Sequence, residues 1–154
     1  MNESRVESSA EGSRLERVGV ASLLALAGLL LLAIGAAVMG APHAFYAANG
    51  ITLGTGASEL SEVRAPATFL LLAGSVIVLG AFRPPLRSLG LGLTAGIYGG
   101  YGLGRLVGVA VEGLPDEGLV AAMALELTVA TLALGVLAVR RAHRPAVGAA
   151  ATPG

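Results

Sequence analysis

Four apolar runs, residues 18–39, 66–82, 89–111 and 119–139, fix what this chain can become. A helix that spans a bilayer needs about 20 predominantly apolar residues, with a range of roughly 17–25. Each run falls within that range. Only 13% of the 154 residues are charged and 55% are hydrophobic, whereas a soluble domain carries about 25% charge. The surplus apolar surface has to face lipid. The expected fold is all-α, a four-transmembrane-helix bundle spanning residues 18–139.

The flanks and connections follow from polarity and from helix breakers. Residues 1–17 are polar and are expected to form a disordered cytoplasmic arm. The apolar run behind them is too long for the h-region of a signal peptide, about 7–15 residues. Between the first two runs, Pro42, Asn49-Gly50, Gly54 and Gly56 interrupt regular structure. Phe45 and Tyr46 are placed to anchor at the headgroup level, with room for a short interfacial helix. Pro66 suits the first turn of the second helix, and Pro84-Pro85 cannot continue it. Gly113, Pro115 and Gly118 punctuate the last turn. Residues 140–154 read as a basic flank and a disordered tail.

Arginine placement sets the orientation. Arg5, Arg14 and Arg17 precede the first run, Arg83 and Arg87 lie between the second and third, and Arg140, Arg141 and Arg144 follow the fourth. Only Arg64 lies on the opposite side. The positive-inside rule then puts both termini in the cytoplasm.

The third run holds the unusual chemistry. Gly92, Gly96, Gly100, Gly104 and Gly108 recur every fourth residue, a pattern that lets helix backbones approach. The expected role is packing within the bundle, or else a homodimer face. The ridge drifts by about 40° per step, because four residues exceed one turn. Tyr98, Tyr101 and Arg105 share one face. Arg105 sits about 9 Å from the rim, and Glu126 sits about 10 Å in on the next, antiparallel helix. Each such charge costs about 2.5–3.5 kcal/mol to insert near mid-bilayer. Pairing removes much of that cost, so Arg105 and Glu126 are expected to face each other inside the bundle. Arg64, Tyr98 and Tyr101 are assigned to the same polar interior, with Glu62 and Glu112 at its outer rim. On the first helix, Ala21, Ala25, Gly28, Leu32 and Gly35 form a candidate packing seam.

Several classes of chemistry find no support. Net charge is zero and no basic-aromatic stretch occurs, which disfavours nucleic acid. Cysteine is absent, so thiol catalysis and thiolate metal sites are excluded. Every basic residue is arginine, which removes the lysine amine of Schiff-base chemistry. His43 and His143 fall on opposite sides of the expected membrane and assemble no metal site. The Gly-x-Gly of GYGLGRL lies inside an apolar helix and does not read as a dinucleotide loop. No catalytic residue, cofactor or metal is assigned, and an enzyme is the least favoured reading.

The segment from Gly104 to Glu126 carries a resemblance. Gly104-Arg105, the turn Glu112-Gly113-Leu114-Pro115 and Glu126 resemble the pattern of a bacterial family of small four-helix membrane proteins, domain of unknown function (DUF) family 4345. Glu62-Val63-Arg64-Ala65 matches the step that enters that family's second helix. Two positions depart from the pattern, Glu112 where the family usually has Asp, and Pro66 after the Arg-Ala step. The resemblance covers roughly residues 18–139. It implies the four-helix layout, a bacterial plasma membrane and the polar positions, and it brings no activity. Two functions are expected from these observations. One is an outward-facing site that binds or passes a small polar or anionic solute. The other is an accessory or structural membrane subunit, with a homodimer or membrane-protein partner, whose buried Arg-Glu pair stabilises the bundle.

Overall fold

The computed structural model describes residues 3–142, and all regular structure among them is helical. Helix α1 is Glu3–Gly40, α2 is Pro42–Ala47, α3 is Ala57–Phe82, α4 is Arg87–Glu112 and α5 is Glu117–Ala142. A 3-10 turn, Pro84–Leu86, joins α3 to α4. Of the basic flank and tail expected over residues 140–154, Arg140, Arg141 and Ala142 continue α5, and residues 143–154 lie outside the described residues.

Two boundaries differ from the sequence reading. The arm expected to be disordered is helical from Glu3 onward, continuous with the first apolar run. Once that run is helical the nucleation cost is already met, and the proline-free segment before it adds turns at little cost. The second long helix starts at Ala57, well before Pro66, which sits inside it. Glu59 in its first turn reaches back and accepts the Gly54 N–H at 2.7 Å, which fixes the start. The missing N–H of Pro66 removes one helical bond. Packing of Ala67, Leu70, Ala73 and Gly74 holds the helix through that point.

The break after α1 is local. Ala41 precedes Pro42 and leaves the helical region, with φ −142°, as the proline ring forces. Pro42 then starts α2. Gly50, at φ 72°, lets Ile51 N–H reach the Tyr46 carbonyl at 3.0 Å, which closes α2. Asn49 Nδ2 donates to the Phe45 carbonyl at 2.8 Å. His43 Nε2–H donates to the Gly54 carbonyl at 3.1 Å and pins the loop that follows. At the end of α4, Gly113 takes φ 96°, a conformation open to glycine.

Antiparallel packing follows from close approaches. On α1, a Cβ at Gly28 would lie 2.8 Å from the Gly74 carbonyl oxygen, and one at Gly35 would lie 2.9 Å from that of Ala67. These two positions of the expected seam are therefore true contacts between α1 and α3. Gly80 and Gly90 bring α3 against α4 beside the 3-10 turn. On α4, a Cβ at Gly102 would lie 2.7 Å from Leu127 Cδ2, and Gly99 faces Ala130 of α5. The fully enclosed side chains Leu24, Ile77, Leu91 and Thr94 join α1, α3 and α4 toward the 3-10 turn. Thr94 Oγ1 satisfies itself by donating to the Gly90 carbonyl at 2.8 Å.

Three segments are long and apolar enough to cross a membrane, Arg14–Gly40 of α1, all of α3 and all of α5. α4 matches α3 and α5 in length, but its glycines, Tyr98, Tyr101 and Arg105 keep it less apolar. Many large apolar side chains stand exposed on all four long helices, Leu26, Phe69, Leu103 and Leu134 among them. Water is a poor solvent for that much apolar surface, and lipid is a good one.

Candidate functional site

The α1–α3 pair meets α4 most closely near the 3-10 turn, and the α1–α3 and α4–α5 pairs separate toward α2. A cavity of about 480 Å³ lies in that opening, within the range of small-molecule pockets, about 300–1,000 Å³. Leu30, Ile34 and Val38 of α1 and Leu70 of α3 give it aliphatic walls. Phe45 and Tyr46 of α2 line the cavity as well, their rings edge to face with centroids 5.8 Å apart. The polar wall comes from α4 and α5, with Tyr101, Arg105 and Glu126.

Arg105 and Glu126 meet as the spacing implies. Arg105 Nε donates to Glu126 Oε2 at 2.9 Å and to Oε1 at 3.2 Å. The side chains keep 29% and 13% of their accessible surface. Gly102, one turn before Arg105, admits Leu127 and lets α5 come near enough for the pair to close. The terminal nitrogens of Arg105 make no hydrogen bond among the described residues. A guanidinium has five N–H donors, so four remain for another acceptor.

The tyrosines divide in role. Tyr98 is buried, and its hydroxyl donates to the Ala27 carbonyl at 2.7 Å. It is a strut between α4 and α1 that also lines the cavity floor. Tyr101 is 41% exposed and stands on the cavity wall.

Three expected site residues are not brought in. Arg64 is exposed and lines a separate shallow groove with Leu60 and Thr68. Because α3 starts at Ala57, Arg64 lies inside the helix, on the face that carries Leu60 and Thr68. Thr68 and Ser75 share that outward face and bond to the carbonyls of Arg64 and Leu71. Glu62 and Glu112 are also exposed, and neither lines the cavity.

The glycine ridge is a further correction. A Cβ at Gly92, Gly96, Gly100 or Gly104 would meet nothing within 4 Å, and one at Gly108 would meet only the Glu112 carboxylate. The ridge points out of the helix packing. The glycines that do pack, Gly90, Gly99 and Gly102, break the four-residue rhythm. Gly90 meets α1 and α3, whereas Gly99 and Gly102 meet α5; the signal for that second pair is the run of three-residue steps Gly99, Gly102, Arg105. Sequence reasoning also missed Val63, Pro66 and Leu119 as cavity residues. Nothing in the local pattern separates them from ordinary apolar positions.

An all-helical fold with three helices able to cross a membrane, and an ion pair set in the wall of an apolar cavity, defines a small membrane-type helical protein. The model of a domain of unknown function, DUF4345, matches residues 21–137, and the chain belongs to that family. No curated protein and no solved structure matches it. The matched span contains both Arg105 and Glu126.

Proposed function

We propose that the chain is a multi-pass protein of a bacterial plasma membrane whose cavity binds a small molecule through Arg105, Tyr101 and Glu126. In this reading α4 crosses the bilayer as well, and the four long helices form one bundle. Topology supports it. α3 and α5 both run away from the α2 end, so if both cross, α4 has to return across the same bilayer. Arg14, Arg17, Arg83, Arg87, Arg140 and Arg141 gather at the 3-10-turn end, with Arg64 at the other. That asymmetry supports a cytoplasmic 3-10 turn and cytoplasmic termini. The cavity then opens outward.

The observation that carries the binding reading is the Arg105–Glu126 pair on a cavity wall, in which only Nε of the guanidinium is used among the described residues. Binding is favoured over passage because Leu24, Ile77, Leu91 and Thr94 fill the space below the cavity. Calorimetry in lipid nanodiscs, with a panel of small and chain-bearing carboxylates, tests the reading. At least one is expected to bind saturably, and Arg105→Gln is expected to weaken it about tenfold, ~1.4 kcal/mol. A panel without any saturable binder contradicts it.

One observation favours a second reading. Arg105 Nε contacts both Glu126 oxygens and so ties α4 directly to α5. As a clamp alone, the pair is expected to tolerate exchange, Arg105→Glu with Glu126→Arg restoring the melting temperature. If the pair also binds ligand, the exchange restores folding and leaves binding abolished.

A further inference from the structure

The cavity is uneven, and the unevenness specifies its occupant. Glu126 cancels the charge of Arg105 at 2.9 Å. A small anion therefore meets almost no net field, only the directional donors on the terminal nitrogens. Those donors suit the two oxygens of a carboxylate, which a guanidinium fork holds bidentately. They leave the rest of the affinity to come from elsewhere in the molecule. Opposite them, Leu30, Ile34 and Val38 of α1 give an aliphatic wall. From Leu30 to Val38 this wall is about 12 Å long at 1.5 Å per residue, room for an acyl chain of medium length. Burying each methylene of such a chain is worth about 0.8 kcal/mol when it comes from water.

We infer that the cavity takes a single-chain amphiphile with a carboxylate head, the head on the terminal nitrogens of Arg105 and the chain along Leu30, Ile34 and Val38. This rests on the binding reading above and adds the class of ligand. An amphiphile of this kind partitions into the bilayer, so the membrane itself brings it to a cleft between helices. Tyr101, exposed on the same wall, stands beside the head.

The test is calorimetry on the full chain in nanodiscs of uncharged phosphatidylcholine, with the heat of empty nanodiscs subtracted. The probes are decanoate, decylammonium and acetate. Decanoate is expected to bind saturably, with acetate and decylammonium more than about a hundredfold weaker. Arg105→Lys keeps the charge facing Glu126 and loses the planar fork. It is expected to hold the melting temperature and weaken decanoate about tenfold or more. Ile34→Trp narrows the aliphatic wall without touching the ion pair, and it is expected to abolish decanoate binding. Acetate binding as tightly as decanoate, or decylammonium binding in its place, overturns the inference and leaves a binding site standing. Saturable binding by no probe overturns the inference and the binding reading together.

Discussion

The two ends of the helix assembly are built from the same residue types and do opposite things. Near the 3-10 turn, Gly28, Gly74, Gly80 and Gly90 bring backbones together around Leu24, Ile77, Leu91 and Thr94. Toward α2, the α1–α3 pair and the α4–α5 pair part around a cavity of about 480 Å³ with an ion pair in its wall. Glycines still close α1 on α3 at Gly35 and α4 on α5 at Gly102 there, so what parts is one helix pair from the other. A glycine opposite another helix shortens the distance between backbones. A glycine on the outer side, such as Gly96, does nothing to packing. Gly80, Gly90 and Leu24 join the α1–α3 pair to α4 near the 3-10 turn, and the cavity lies where no such close glycine contact bridges the two pairs.

Substitutions can break or sharpen this contrast. The largest effect is expected at the α1–α3 seam. Gly28→Leu drives a side chain into the Gly74 backbone, where even a Cβ lies at 2.8 Å, and is expected to cost at least about 3 kcal/mol. Loss of the folded species in size-exclusion chromatography and a collapsed melting transition would register it. Leu24→Ala comes next. Between states that are both in lipid the transfer contribution shrinks, and the residual cavity alone is expected to cost about 2 kcal/mol. Thermal melting in detergent measures it. Tyr98→Phe removes the hydroxyl that ties α4 to the Ala27 carbonyl across the boundary between the two ends. A loss of about 1 kcal/mol is expected, together with weaker ligand binding as the cavity floor loosens. The smallest effect is Gly96→Ala, where a Cβ meets nothing. It is expected to stay within about 0.5 kcal/mol, with any change toward stability from the better helix propensity of alanine. A large destabilisation there would show that the outer ridge packs against something after all.

Much of the helix layout was legible in the sequence, because apolar length and helix breakers are local signals. Pro42, Pro84-Pro85 and Gly113 mark true breaks. Gly28 and Gly35 lie on the stripe that does form the seam. Pro66 misled, because a proline early in a helix and one at its first position look alike until the Glu59–Gly54 contact is seen. The cavity was legible only where charge made it so. Matching depths on neighbouring helices bring Arg105 and Glu126 together. Arg64 failed, since its side of α3 depends on how that helix rolls against α1, and four-residue spacing does not fix the roll. The packing role within the bundle expected of the glycine ridge failed for the same reason, while the homodimer face is not touched by it. Periodicity identifies a stripe and leaves open what the stripe faces.

The absence of cysteine makes a direct comparison of the two ends possible. Single cysteines at Tyr101 and at Leu91, placed one at a time in the full chain, can be treated in intact cells with a membrane-impermeant maleimide. Tyr101→Cys is expected to label from outside and to be protected by decanoate, while Leu91→Cys stays unlabelled until the protein is denatured. Equal labelling of both, or a Tyr101→Cys that never reacts, would contradict an outward-opening cleft above a closed core.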